Sequence, residues 1–331
     1  MKTDTFLVIG SNSFSGAAFV NYLLTQGHQV IGMSRSEEPS DVFLPYKKNP
    51  NLKNFQFHKM DLNHDLENMI SVMRDYKTPY VVNFAAQSMV AESWQNPDHW
   101  FMTNVVSNVR MHEKLRLQPF LKNYVHISTP EVYGSCSGNV TEDAVFNPST
   151  PYAVSRAAAD LSLKSYFKNY KFPVTFTRAA NVFGPGQQLY RIVPRTILYF
   201  RTGKKLQLHG GGHSVRSFIH IDDVAAGTYQ VALRGKPGDA YHFSTPEQIS
   251  IRNLVEMIAK KCGVKFEDAV EIVNERPGKD AAYLLDSTKA KTEFGWTPKI
   301  DLETGVNQTI KWIDENLETI KKLPFDYIHK P

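Results

Sequence analysis

Tyr152 and Arg156 stand four residues apart in the run Pro151-Tyr152-Ala153-Val154-Ser155-Arg156. If that run is helical, both side chains share one face. A phenol with an ordinary pKa of about 10 is a poor base at neutral pH. A cation one turn away stabilises the phenolate and lowers that value. Shortly upstream lies Ser128-Thr129-Pro130-Glu131-Val132-Tyr133-Gly134. A Thr129 hydroxyl delivered beside the phenol shares its hydrogen bond to a reacting alcohol. Thr129, Tyr152 and Arg156 together are suited to removing a hydroxyl proton while a nicotinamide takes the hydride. The plain alternative for Tyr-x-x-x-Arg is a partly buried aromatic and a surface arginine. The apolar run, Ser-Thr pair and turn that precede it favour the catalytic reading.

A second group of residues is suited to phosphate. Ile9-Gly10-Ser11-Asn12-Ser13-Phe14-Ser15-Gly16 follows the first strand candidate and opens a helix. A helix N-terminus offers free N–H groups and positive dipole to an anion. Gly10 suits the tight turn and Gly16 the close packing of helix on strand. Asn12, Ser13 and Phe14 fill the loop; the small Ser13 can bond a phosphate through its hydroxyl but loses the closest backbone approach that a glycine allows. The second strand candidate ends in Ser34-Arg35, where NAD-selective sites carry an acid for the ribose 2′-OH. A hydroxyl and a guanidinium bind a 2′-phosphate that a carboxylate would repel, which favours NADP over NAD. Asn83-Phe84-Ala85-Ala86 ends the fourth strand, where small residues let a cofactor lie against the backbone.

These residues must be positioned by a strand–helix alternation. Thr5–Ile9, Gln29–Met33, Phe55–Lys59, Tyr80–Phe84, Tyr124–Ile127 and Val174–Arg178 read as strands. Gly16–Thr25, Leu66–Tyr76, a long stretch around Trp100–Leu117 and Pro151–Asn169 have helical spacing. That pattern is an α/β fold with a Rossmann-type doubly wound parallel sheet. After about residue 180 elements shorten, and Arg252–Cys262 and Leu302–Thr319 read as later helices. The expected division is a dinucleotide-binding domain over 1–180, with 215–245 returning to it. Residues 181–331 then form mainly a smaller α/β substrate lobe. A length of 331 residues accommodates that division, since domains run to roughly 100–200 residues each.

The 42% hydrophobic content supports a sizeable core, and a net charge of +5 without runs of like sign disfavours nucleic acid as a partner. Two cysteines, Cys136 and Cys262, argue against a disulfide framework or zinc cluster. No stretch approaches the roughly 18 apolar residues of a membrane span, and the first residues do not read as a signal peptide. The expectation is a cytoplasmic protein with no metal and no membrane partner.

Several segments together carry a resemblance. Ala85-Ala86-Gln87-Ser88-Met89-Val90-Ala91 resembles the Ala-Ala-Gln-Ser-His-Val-Ala stretch of GDP-mannose 4,6-dehydratases. Gly184-Pro185-Gly186-Gln187, with Arg191 and Pro194, is similar to a segment of dTDP-glucose 4,6-dehydratases. Arg216-Ser217-Phe218-Ile219-His220-Ile221-Asp222-Asp223-Val224, Arg276-Pro277-Gly278-Lys279-Asp280 and Phe294-Gly295-Trp296-Thr297-Pro298 match later blocks. Over nearly its whole length the chain resembles the extended short-chain dehydrogenase/reductases, and within them the nucleotide-sugar 4,6-dehydratases.

That resemblance implies roles. Tyr152 is the base of the hydride step, Arg156 its cationic partner, and Thr129 binds the C4 oxygen. Glu131 removes the C5 proton once C4 is a ketone. Asp61 and Leu62 meet the adenine of a tightly bound, recycled cofactor. Arg216 and Arg276 clamp the substrate diphosphate, Asn181 and Arg191 hold sugar and phosphates, and Ser88 and Leu206 line the substrate path. Relatives form dimers through the helix carrying Tyr152 and the long helix before it, which would place Ala153, Val154, Ala157, Ala158, Leu161 and Leu163 on the contact face.

Four positions depart from the family pattern. Ser13 replaces the middle glycine of the phosphate loop, Arg156 the usual Lys, and Met89 a His. Pro130 stands where dTDP-glucose enzymes have an Asp that protonates the leaving C6 hydroxyl. Because proline has no acid, a 4-epimerase, a 4-oxidoreductase and a decarboxylase stay open beside the dehydratase. A non-catalytic dinucleotide-binding protein is the reading from another class.

Overall fold

A computed structural model describes residues 3–136, 138–274 and 284–330. The β-branched and aromatic run Thr5–Ile9 forms β1 and is buried almost throughout, as a central parallel strand must be. The strands β2 (Gln29–Ser34), β3 (Phe55–Lys59), β4 (Tyr80–Asn83), β5 (Asn123–Ile127), β6 (Val174–Ala179) and β7 (Ala240–Phe243) complete a seven-stranded sheet in the order β7-β6-β5-β4-β1-β2-β3. Every pairing is parallel. Strand order reverses at β1, which lies between β2 and β4, and a crevice opens there beyond the carboxyl ends.

Helices cover both faces. On one, α1 (Phe14–Thr25) and α6 (Ile221–Arg234) enclose a core that includes Phe6, Phe19, Val82, Tyr229 and Trp296. On the other, α2 (Leu66–Asp75), α3 (Asn108–Leu115) and α4 (Pro151–Tyr170) bury Met69, Met73, Met111, Leu115 and Leu163 against the sheet. The single helix expected around Trp100–Leu117 is interrupted. A turn of α-helix at Pro97–Phe101 passes into a π-helical segment, Met102–Ser107, before α3 begins. Wider winding carries Thr103, Asn104, Ser107 and Asn108 inward, where all four are buried.

The smaller lobe has its own core of Leu198, Leu206, Leu208, Leu254, Ile258, Val306 and Ile313. Around it stand α5 (Ile192–Arg201), α7 (Ile251–Cys262), α8 (Leu302–Glu315) and short strand pairs such as Leu206–His209 with Val270–Val273. The helix expected over Leu302–Thr319 stops at Glu315 and resumes as Leu317–Ile320. The Asp223 and Trp296 motifs act as a clip: the Asp223 carboxylate accepts from the backbone N–H of Lys299 and Ile300 at 3.0 Å each, and the Trp296 indole donates to the Asp223 carbonyl at 2.9 Å.

Candidate active site

The chain leaving β5 makes one turn of 3-10 helix, Pro130–Tyr133, capped by Thr129, whose hydroxyl accepts from Glu131 N at 3.3 Å. Pro130 occupies the first helical position, where a missing N–H costs nothing. Pro130, Val132 and Tyr133 are buried, while Glu131 is half-buried. Helix α4 starts with Thr150 accepting from Ala153 N at 3.1 Å and Pro151 in the first turn. That start fixes Tyr152, which is only 8% exposed. Tyr152 shares a hydrogen bond with Thr129 and feels the charges of Arg156, Glu131 and Arg191.

The net effect on the phenol is opposite to the expected one. Burial raises the Tyr152 pKa above its ordinary value; Arg156, the Thr129 hydrogen bond and Arg191 pull it down, and Glu131 pushes it up. Burial wins, so the protein alone holds Tyr152 protonated. Part of the reason is where Arg156 goes. Its side chain is buried, donates to the Ile127 carbonyl and lies 3.3 Å from His126 Nε2.

Behind α4 is a layer absent from the expectations above. Asp160 accepts from Arg178 at 2.8 Å and from the Ser128 hydroxyl at 2.7 Å, and lies 3.5 Å from His126. Arg178 also donates to the Tyr133 hydroxyl at 2.8 Å, which in turn is 2.8 Å from His242 Nε2. The His242 backbone N–H donates to Glu142. Asp160, Arg178, His126 and His242 are fully buried. Burial and the nearby guanidinium groups push His126 well below its ordinary pKa, and burial with Arg178 brings His242 to about 3. Both rings are neutral, and Asp160 is left to balance the arginines. The signal was present: Tyr152, Arg156 and Asp160 recur every fourth residue on one helix face. The partners of Asp160 come from strands remote in sequence.

At the crevice is a cavity of about 370 Å³ lined by Gly10, Asn12, Ser13, Ser34, Arg35, Asp61, Leu62, Ala85, Ala86 and Gln87 among others. Gly10 has φ +80°, and a Cβ there would sit 2.8 Å from Ala85 N. Backbone from both switch-point strands therefore converges, as a close-lying diphosphate needs, and the cavity fits a dinucleotide. Ser13 does not offer its hydroxyl as expected. It caps α1, accepting from Gly16 N at 3.0 Å and donating to Gly10 O at 2.7 Å. At φ −74° it needs no glycine. Ser34 accepts from Asn12 N at 3.0 Å, and Asp61 accepts from Asn63 N at 2.7 Å, so both brace loops. Phe14 packs beneath with Ala18 and Ile221, and Gly16 lies under the loop with no room for a Cβ. Arg35 donates to the Lys330 carbonyl at 3.1 Å.

A family model for GDP-mannose 4,6 dehydratase matches residues 7–309. The chain belongs to that family. It is 33% identical to the dTDP-glucose 4,6-dehydratase of Streptomyces antibioticus, across 96% of this chain and 96% of the relative. Its fold matches a dTDP-glucose 4,6-dehydratase of Streptomyces venezuelae, solved with NAD bound, with a TM-score of 0.88 at 29% identity, covering 95% of this chain and 98% of that one. The UDP-glucose 4-epimerase of Thermotoga maritima gives a TM-score of 0.85 at 25% identity, covering 95% and 99%.

As a member of the GDP-mannose 4,6 dehydratase family, the chain spreads its remaining expected substrate residues unevenly. Arg191 caps α5 and is the one that reaches the field of Tyr152. Asn181 uses its side-chain amide on the Ser217 carbonyl at 3.1 Å. Arg216 donates to the Val215 carbonyl at 2.8 Å, in a strand pair with Ile249–Ser250. Ser88 is exposed, and the Leu206 side chain is buried in the smaller core, leaving only its backbone for a ligand. Arg276 lies outside the described residues. No group of acidic, His or Cys side chains suited to a metal occurs among the described residues, nor any helix long and apolar enough to cross a membrane.

Proposed function

We propose that the chain is a nicotinamide-dependent nucleotide-sugar 4,6-dehydratase, converting a nucleoside diphosphate hexose to its 4-keto-6-deoxy form. The observation that carries this is the convergence of Thr129, Glu131 and Tyr152 on one turn and one helix start. A bound nicotinamide supplies the acceptor, and later the donor, of one hydride. The positive charge of an oxidised nicotinamide would oppose the burial that keeps Tyr152 protonated, and as the phenolate Tyr152 takes the C4 hydroxyl proton, with Thr129 sharing the hydrogen bond. The resulting ketone acidifies C5–H, and Glu131 removes that proton. Pro130 has no acid to offer, so we assign Glu131 the second task as well: protonated by C5, it gives the proton to the departing C6 hydroxyl, which leaves as water. A hydride returned to C6 would complete the step, while C5 takes a proton from solvent and Tyr152 releases the C4 proton to solvent, so that both side chains regain their starting states.

Asn181, Arg191, Arg216, Arg276, Ser88 and the backbone at Leu206 are the proposed substrate contacts, and residues 181–331 the lobe that provides most of them. We infer NADP rather than NAD, because β2 ends in Ser34-Arg35 with no acid. Arg35→Asp then reverses the preference. The dimer proposal changes its residues. Ala153, Ala157 and Leu163 face inward, whereas Leu161 is 56% exposed and Val154, Phe101, Met102 and Val106 are exposed with it. These five form the proposed contact face, and light scattering showing a monomer at micromolar concentration excludes it. Partly exposed free thiols at Cys136 and Cys262 fit the cytoplasm.

The test is mass spectrometry of products from a panel of GDP-, UDP-, CDP- and dTDP-hexoses. Tyr152→Phe is expected to lower turnover by about 10²–10⁴-fold. Glu131→Gln is expected to build up reduced cofactor and 4-keto sugar without loss of water. Normal turnover by Glu131→Gln excludes the dehydratase. The missing acid at Pro130 favours a 4-epimerase as second reading. A product with an intact C6 hydroxyl and no solvent deuterium at C5 selects it.

A further inference from the structure

The chain returns to the cofactor cavity after the smaller lobe is complete. Leu323 and Phe325 pack on that lobe's core. Asp326 then pairs with Arg195 at 2.9 Å, and the Tyr327 ring meets Tyr190 edge-on at 5.4 Å. Across the cleft, the His329 ring stacks on buried Trp100 at 5.2 Å and 12°, and its Nε2 lies 2.9 Å from His99 Nδ1. The Lys330 carbonyl accepts from Arg35 at 3.1 Å and from Gln87 at 2.7 Å, and its ammonium donates to the Ser36 hydroxyl at 3.3 Å. Lys330 thus lines the same cavity as Gly10 and Ala85.

We propose that residues 326–330 complete the cofactor site, with Lys330 and Arg35 forming a cation pair for the 2′-phosphate of a dinucleotide. This rests on the reading of the cavity as a nicotinamide site. The chemistry is local. β2 ends with Ser34 and Arg35, Ser36 follows, and Lys330 joins Arg35 as a second cation lining the cavity. The acid in this stretch that lines the cavity, Glu37, is engaged with Lys59 at 3.0 Å. Two cations with hydroxyl donors beside them make the setting a phosphate dianion selects. The segment is held at both ends of its crossing, at Arg195 in one lobe and at Trp100 in the other. A cofactor beneath it is enclosed by side chains from both lobes, which suits one that stays bound through turnover.

Isothermal calorimetry on the full chain with NADP and with NAD tests this. Lys330→Ala is expected to weaken NADP about fivefold to tenfold and to leave NAD within about twofold. Lys330→Arg is expected to keep most of the NADP affinity. Because Lys330 is exposed, these variants leave the fold intact. His329→Ala, which releases the segment from Trp100, is expected to act on NADP in the same direction. NADP binding by Lys330→Ala equal to that of the unaltered chain overturns the proposal, as does equal loss for both dinucleotides. If the unaltered chain prefers NAD, the cation pair is wrong while dehydration of a nucleotide sugar still stands. If it binds neither, the reading of the cavity has failed as well.

Discussion

Behind Tyr152, Asp160 and Arg178 meet at 2.8 Å with neither side chain exposed; at the rim of the cofactor cavity, Arg35 and Lys330 meet a backbone carbonyl and a hydroxyl close to solvent. The first region is assembled from β5, α4, β6 and β7, each fixed by the parallel sheet. Charges taken out of water there are balanced only by one another, so the geometry has few alternatives. The second region is assembled from long side chains and a chain segment that crosses between lobes. Its contacts are individually small, and a cofactor can replace them. The difference is a division of labour: low tolerance where a phenol, a carboxylate and a hydroxyl must converge, and replaceable contacts where a ligand must enter.

The largest effect that breaks this comparison is expected from Asp160→Asn. The substitution keeps volume but leaves Arg178 buried without its counter-charge. Breaking a buried pair this way costs about 3–5 kcal/mol. Urea unfolding is expected to show that loss, and turnover is expected to fall too, because Ser128, Arg178 and Tyr133 hold the turn that carries Glu131. Unchanged stability means that the layer is not the rigid element described.

A smaller effect follows from the neutral histidines. Burial, and charged neighbours, hold His112, His126 and His242 below their ordinary pKa. In the unfolded chain each titrates at about 6.5. Below that pH the unfolded state takes up protons that the native state refuses, so this stabilisation is complete above about pH 6.5 and is lost as pH falls toward the native values. Between pH 7 and 5.5 each histidine is expected to cost about 1 kcal/mol. His242→Gln, which can still meet the Tyr133 hydroxyl, is expected to shrink the pH-dependent loss in urea midpoint. An unchanged slope in that variant places the titration elsewhere.

Much of this molecule was legible beforehand, for physical reasons. Thr5–Ile9 falls where expected because a buried parallel strand needs an uninterrupted run of apolar or β-branched residues, and Phe55–Lys59, a partly exposed edge strand, because its aromatic and polar residues alternate. Tyr152 and Thr129 stood out because a helix start and a strand end have local signatures. What escaped was set by contacts far apart in sequence. β7 is a four-residue strand, Ala-Tyr-His-Phe, that follows a Pro237-Gly238-Asp239 turn but is too short to show a strand period of its own. The π-helical segment at Met102–Ser107 follows from buried amides: Asn104 bonds Gln87 and Ser155 at 2.9–3.0 Å, which no spacing rule encodes. Lys330 reaches Ser36 across 294 residues.

The smallest expected effect concerns Ser13, and it sharpens the contrast within the cofactor site itself. A serine in place of the middle glycine reads from sequence as a hindered or re-aimed phosphate contact. In the fold its hydroxyl is committed, accepting from Gly16 N and donating to Gly10 O, and its φ of −74° suits any L-residue. Glycine there removes the cap and adds freedom to the unfolded chain, while the backbone gains no new conformation. An N-cap exchanged for glycine costs only a few tenths of a kcal/mol, roughly. Ser13→Gly is therefore expected to lower the urea midpoint slightly and to bind NADP within about twofold of the unaltered chain, since backbone N–H groups at the start of α1 remain. A gain in cofactor affinity of tenfold or more would mean that the hydroxyl blocks close approach of the diphosphate, and the loop would belong with the intolerant layer behind Tyr152. A large loss would mean that the hydroxyl leaves Gly10 to bond phosphate directly. The expected near-neutral result places Ser13 as a brace that shapes the loop without touching the ligand.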